Sequence, residues 1–166
     1  MIDPCMTALE TILLGMGYRK VHTDLSDLVS FAGGVPSCYV YQAEPSELTR
    51  DRRRVALEDN PNEVGRTVRY RLYGEKLSLI VRLVDVSRSA VDARKVQFLQ
   101  ELPTRILDGG GNAIDVAATG AIMVEDKSVL GGKTAMEIAV EFTGGVYKDE
   151  VIPLVTARAD QVEIER

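Results

Sequence analysis

The chain has 166 residues, of which 45% are hydrophobic and 27% charged, values typical of a single globular domain and not of a disordered segment. Its formal net charge of −5 and its aromatic content of 5%, without Trp, argue against a general nucleic-acid binder or a base-stacking platform. No apolar run is long enough to cross a bilayer, and the start "MIDPCMTALE" lacks the basic and apolar regions of a signal peptide, so we expect a soluble, cytosolic protein.

The first predicted element is a helix over residues 3–17, "DPCMTALETILLGMG". Asp3 can cap this helix, Pro4 suits its first position, and two glycines end it. Its apolar stripe consists of Met6, Leu9, Ile12, Leu13 and Met16. After a mixed connector, "CYVYQA" at 38–43 is rich in aromatic and β-branched residues and predicts a strand.

Residues 44–65, "EPSELTRDRRRVALEDNPNEVG", form the most unusual segment of the chain. They include two prolines and many charges, and few of them are apolar. We expect a long loop here. Because such loops are rare in compact domains, we expect this one either to have a function or to be disordered.

Residues 66–86 predict two successive strands. In the first, the side chains of Thr67, Arg69, Arg71 and Tyr73 share one face, and those of Val68, Tyr70 and Leu72 share the other. In the second, one face consists of Leu77, Leu79, Val81 and Leu83. A tight turn at Gly74–Glu75 would join them, which predicts a hairpin or a bent, bulged strand pair.

A second helix is predicted over residues 87–107, with Ser87 or Ser89 as its cap and Asp92 at a capping-box position after Ser89. Pro103 should kink or shorten this helix. Its buried stripe consists of Val91, Phe98, Leu99, Leu102 and Ile106.

Two further strands, from residue 114 to 126 and from 133 to 144, alternate well and predict a hairpin joined by the loop 127–133. The remaining tail contains Pro153 and scattered charges and predicts an extension outside the core. The element order predicts an α+β fold in one domain, with helices packed on one face of a mixed, mostly antiparallel sheet. We place the domain at 1–150 and a C-terminal extension at 151–166.

The stretch "GGKT" at 131–134 ends like a phosphate-binding P-loop. However, Lys127 stands where the motif needs a glycine, and the residues after Thr134 alternate as in a strand, whereas a P-loop precedes a helix. We therefore predict a hairpin turn and no nucleotide site. The glycine cluster "DGGGN" at 108–112 follows a helix and precedes a strand, which predicts a helix stop and a turn.

The sequence offers little catalytic chemistry. His22 is the only histidine, and Cys5 and Cys38 lie apart without CxxC spacing, so they do not form a convincing zinc site. The carboxylates lack metal-ligand spacing, and no serine has a G-x-S-x-G setting. We expect no catalytic residue, cofactor or metal, a solvated or partly buried His22, and reduced, partly buried thiols.

The arginine run "TRDRRR", from Arg50 to Arg54, leaves three interpretations open. The first is a solvated loop with ion pairs to Glu47, Asp51 and Glu58, each of which adds little stability. The second is a protein–protein contact, because arginine is enriched at interfaces and binds carboxylates in bidentate fashion. The third is a contact with DNA.

Four stretches, which together cover most of the chain, carry a family resemblance. They are "VPSCYVYQAEPSEL" at 35–48 after the first helix, the strands at 67–84, the helix "SAVDARKVQFLQELPTRIL", and the closing hairpin at 115–149. In the order of their elements and in their local sequence features, they resemble the tail terminator, or tail completion, proteins of tailed bacteriophages, including the lambda-like minor tail protein of this role. Segment 44–65 is longer than in that family, and the tail past Val151 is extra.

The resemblance implies a virion protein, assembled in the host cytoplasm, that forms a hexameric ring on the tail tube and ends tube growth. Its implied partners are further copies of itself, the tail tube protein, and the neck or connector protein. The sheath is another candidate partner, and DNA would pass only through the lumen. The predicted interface residues are Arg50, Arg52, Arg53, Arg54, Glu58, Arg69, Arg71, Tyr73 and Tyr147.

Three alternatives remain open. A neck or head–tail connector completion ring is the nearest. A small cytosolic α+β enzyme or ligand-binding domain would need a pocket near His22 or the 108–112 turn. A nucleic-acid-associated protein would use the arginines of 50–54 together with Arg69 and Arg71.

Overall fold

A computed structural model describes residues 1–23, 34–59, 65–124 and 132–153. Within these ranges the protein has two helices and seven strands, which confirms the predicted α+β class with a mixed, mostly antiparallel sheet. The elements in chain order are α1 (Ile2–Gly15), β1 (Val21–His22), β2 (Ser37–Gln42), β3 (Glu47–Asp59), β4 (Gly65–Asp85), α2 (Arg88–Glu101), β5 (Arg105–Leu107), β6 (Ala113–Val124) and β7 (Thr134–Pro153).

The strands follow the order β1-β2-β4-β7-β6-β5, and β3 pairs with β4 outside this path. Strand β1 is parallel to β2, whereas the pairs β2–β4, β5–β6 and β6–β7 are antiparallel. As the residue number rises along β4, the number of the residue that it contacts on β7 falls, as in an antiparallel pair. These contacts are Arg69–Asp149, Lys76–Glu141 and Arg82–Glu137.

The chain divides into two compact units. The first unit comprises Met1–Thr49 and Gly74–Gly145, and the second comprises Arg50–Tyr73 and Val146–Arg166. The domain limits predicted from the sequence stay a prediction. Of the predicted extension, residues 151–153 belong to β7, and residues 154–166 lie outside the described part of the chain.

The core of the first unit combines both helices with alternate residues of the sheet. Helix α1 contributes Cys5, Leu9 and Leu13, and helix α2 contributes Val91 and Phe98. Alternation in the strands brings one face of each into the same cluster, which confirms the predicted face of β4. The buried strand residues are Val21, Cys38, Val40, Leu77, Leu79, Val81, Leu83, Ile114, Val116, Met136, Ile138, Val140 and Phe142.

Helix α1 forms where predicted, but Asp3 does not cap it. The N-cap is Met1, without a side-chain hydrogen bond, and Asp3 lies in the first turn, where its charge suits the helix dipole. At the other end, the N–H of Tyr18 donates to the carbonyl of Leu13 at 3.3 Å, and Gly17 adopts a φ of 90°. This arrangement is a Schellman motif, and its left-handed residue favours glycine.

Helix α2 is shorter than predicted. Ser87 caps it as expected, accepting from the N–H of Ala90 at 3.2 Å. The helix ends at Glu101 because Leu102, which precedes Pro103, takes an extended conformation. Two residues that were predicted to belong to the buried stripe of this helix do not belong to it. Leu99 is exposed, and Ile106 lies in β5.

The hairpin predicted at Gly74–Glu75 is wrong, because β4 runs through this position as one strand of 21 residues. A two-residue hairpin turn needs positive φ, and Gly74 is not among the described glycines with positive φ. The loop predicted over 44–65 is also wrong for residues 47–59, which form β3 and pair with β4. The backbone hydrogen bonds of this pairing outweigh the low apolar content of the segment.

The other predicted turns have mixed outcomes. The turn at 108–112 is confirmed, with Asp108 Oδ1 accepting from the N–H groups of Gly110 and Asn112. The helix stop predicted there is wrong, because α2 ends at Glu101 and β5 precedes the turn. Most of the predicted loop 127–133 lies outside the described residues. The strand predicted after "GGKT" is confirmed, but β7 continues to Pro153, so the predicted start of the tail belongs to the sheet.

Candidate interaction surface

All nine interface residues predicted from the sequence lie in the second unit. Arg50, Arg52, Arg53, Arg54 and Glu58 belong to β3. Arg69, Arg71 and Tyr73 belong to β4, and Tyr147 belongs to β7. The structure therefore brings together, on three paired strands, residues that are almost 100 positions apart in the sequence.

Charged contacts on one face join these strands. Arg69 donates through Nε and Nη2 to the two carboxylate oxygens of Asp149 at 2.7 Å, a bidentate pair between β4 and β7. Arg71 donates to Asp51, which joins β4 to β3. The hydrogen bonds from Arg71 and Arg69 lower the pKa values of Asp51 and Asp149, respectively, so both carboxylates stay ionised under mildly acidic conditions.

The opposite face carries an aromatic contact. The guanidinium of Arg52 lies 5.2 Å from the ring centroid of Tyr70, and its Nη2 is 3.6 Å from Glu150. Strand alternation places Arg50 and Arg54 on the same side of β3 as Arg52. These two arginines are exposed and have no carboxylate partner in the described part of the chain.

A shallow recess of about 230 Å³ lies beside this run of arginines. Three cationic side chains line it, those of Arg50, Arg52 and Lys148, against the single carboxylate of Glu150. The positive excess makes this recess suitable for an acidic group of a partner.

The second unit buries very little of its own apolar surface. Among its described side chains only Val68 is buried, whereas the large apolar side chains at its surface are 40–58% exposed. These exposed residues are Val55, Leu57, Tyr73, Val146, Val151 and Ile152. A three-stranded sheet with one buried side chain gains little from hydrophobic burial, so this surface suits contact with another protein.

The structure also contains a cavity near His22, of about 320 Å³, lined by Arg19, Lys20, His22 and Ser37. The hydroxyl of Ser37 is buried and has no hydrogen-bond partner among the residues that the structure describes, and the imidazole of His22 stacks on Tyr39 with centroids 4.9 Å apart. Three basic side chains give this cavity the chemistry of an anion site.

The thiols offer no reactive group. Cys5 and Cys38 are free, and both are completely buried, whereas the sequence predicted partial burial. Burial raises the pKa of each to about 12. At neutral pH both therefore stay protonated. No cluster of three or more potential metal ligands occurs within the described ranges.

Comparison with known proteins identifies no family for this chain. No protein-family model matches the chain, and no curated protein matches it. The resemblance to tail terminators therefore rests on the order of the elements and on the four sequence stretches that carry it. No helix in the described ranges is long and apolar enough to span a membrane.

Apart from Tyr147, sequence reasoning missed the contribution of β7 to this surface. Val146, Val151 and Ile152 are exposed apolar residues of β7, and Lys148 and Glu150 line the recess. The alternation of "GVYKDEVI" was the available signal for a strand.

Proposed function

We propose that this chain is a structural virion assembly protein. In this proposal, copies of it form a ring that caps the tail tube, ends tube polymerisation and provides a surface for joining to the head or neck. The observation that carries the proposal is the second unit, which exposes apolar and arginine side chains while burying Val68 alone among its described residues. Such a unit gains its stability from contact with other subunits.

The fold is consistent with this role. We infer that both helices pack on one face of the sheet, because their buried side chains share one cluster with alternate residues of β4 and β7. That arrangement leaves strand edges available for subunit contacts. The number of copies, six, and the virion location come from the resemblance to tail terminators, as do the tube, neck and sheath partners. The proposal assigns no catalytic residue, cofactor or metal.

The test is to offer the purified protein to tail tubes of the same virus. A terminator binds only at tube ends and stops further addition of tube subunits, so electron micrographs would show capped ends and a fixed tube length. Binding along the tube wall, or no binding at saturating concentration, would contradict the proposal. A ring that binds the neck protein but not the tube would support the neck-completion alternative.

The cavity near His22 favours a second candidate function, a small anion-binding domain. Its basic lining suits a phosphate or carboxylate group. Because the chain contains a single histidine, the imidazole signals in an NMR spectrum report on this cavity directly. Saturable shifts of these signals with inorganic phosphate, lost in Arg19→Ala, would support this candidate, and unchanged signals would exclude a phosphate site there.

A further inference from the structure

Both outer strands of the second unit have an edge without a partner in the described part of the chain. Among the described residues, β3 pairs with β4 alone, which leaves its other edge without a partner there. Strand β6 pairs with β7 up to Thr143, so from Val146 onward the outer edge of β7 has no partner within the described ranges. Each open edge presents unpaired N–H and C=O groups, which favour the addition of another strand.

These two edges are complementary in charge. Between Arg50 and Arg54, β3 has four arginines and one aspartate, whereas positions 148 to 150 of β7 are Lys, Asp and Glu, a segment of net negative charge. Two β3 edges would oppose each other through like charges, and such pairs destabilise a sheet. A β3 edge next to a β7 edge instead places arginines beside carboxylates.

The apolar residues match in the same way. The contacts of Asp51 with Arg71 and of Arg69 with Asp149 show that these residues share one face of the sheet. Alternation adds Val55 on β3 and Val151 on β7 to that face. Both valines are exposed, by 41% and 58% respectively, and would be covered if the two edges met.

We propose that β3 of one copy pairs edge to edge with β7 of the next copy, so that the three-stranded sheets of successive copies join into one. The inference rests on the proposed function, because it names the contact by which the ring closes. Within one copy the two edges cannot meet, since β4 lies between the two strands. The contact is head-to-tail, and a head-to-tail contact produces a closed ring when its rotation closes.

The arrangement also explains why the open edge of β3 is rich in arginine. Charged side chains on an edge strand prevent indiscriminate strand addition and thus aggregation. Only a partner edge with carboxylates and apolar side chains at matching positions overcomes this protection. The arginines therefore select the partner as well as attract it.

The test blocks one edge at a time with lysine. Val55→Lys blocks the β3 edge and Val151→Lys blocks the β7 edge, each at an exposed position where a monomer tolerates lysine. Ile122→Lys, at a 66% exposed position of β6, is the matched control. Circular dichroism confirms that each variant is folded, and sedimentation velocity measures its association.

We expect each blocked variant alone to sediment as a monomer, with loss of all larger species. An equimolar mixture of the two should form dimers and nothing larger, because each pair of copies retains one matching pair of edges. The Ile122→Lys control should assemble like the wild type. If the wild type assembles and both blocked variants assemble equally well, this inference is wrong and the proposed ring stands. A wild type that never assembles would overturn both.

Discussion

At the scale of single residues, the ion pair between Arg94 and Asp85 joins helix α2 to the end of β4. Arg94 Nε donates to Asp85 Oδ2 at 2.7 Å, and its guanidinium also lies 4.9 Å from the ring centroid of Tyr18. Asp85 is only 7% exposed, so its carboxylate is largely removed from water and is held by Arg94 and by the N–H of Val86. Removal of one partner from a buried pair leaves an uncompensated charge in the interior.

We therefore expect Arg94→Leu to lower the free energy of unfolding by about 2–3 kcal/mol. The control is Arg88→Leu on the same helix, where the arginine is exposed and the change should stay within about 0.5 kcal/mol. Urea unfolding of both variants and the wild type measures the difference. Equal stability of the two variants would show that the Arg94–Asp85 pair contributes nothing.

Glu137, on the face of the sheet that points away from the core, makes a pH-dependent contribution to the free energy of unfolding. Burial raises its pKa, but hydrogen bonds from Tyr41 at 2.7 Å and Arg82 at 2.8 Å outweigh burial and hold the pKa below its ordinary value of 4.5. A carboxyl with a lowered pKa stabilises the fold above the unfolded-state value, and this contribution is lost as the pH falls below about 4.5.

Glu137→Gln should therefore weaken the dependence of the unfolding free energy on pH between about pH 6 and about pH 3, because glutamine does not titrate. Urea midpoints across this pH range provide the measurement. Parallel curves for Glu137→Gln and the wild type would rule out this role of Glu137.

At the scale of elements, sequence patterns located the structure well where one side of an element is buried. The stripe of α1 and the alternate leucines of β4 follow directly from burial against one core. Patterns failed where pairing with a distant strand decides the outcome. Strand β3 is exposed on most of its length, so its residues show no burial pattern, and its partner β4 determines its conformation.

Substitution of Gly74 tests whether β4 continues through this position as one strand. If the chain continues as a strand, Gly74→Ala should raise the unfolding free energy by about 0.5–1 kcal/mol, because glycine is unfavourable within strands. Space is available, since an added Cβ would lie 3.9 Å from its nearest neighbour, the Thr49 carbonyl oxygen. Gly111→Ala, at a φ of 75°, is the opposite control and should destabilise the protein. Destabilisation by Gly74→Ala would instead indicate a turn.

At the scale of the whole molecule, the sequence identified the arginine side of the candidate surface but not its apolar part. Arginine runs are visible in any sequence, whereas Val55 and Val151 are recognisable as exposed only after β3 and β7 have been placed. The same limit applies to the cavity near His22. Its lining combines Arg19 with Ser37, and the pairing of β1 with β2 brings these segments together.

The central claim is that the protein assembles with itself, and its solution mass tests this most directly. Light scattering over a concentration series at moderate salt compares the mass of the particle with the 18.2 kDa of one chain. We predict that the mass of the particle increases with concentration to that of a hexamer and no further. A mass of one chain at every concentration would contradict it.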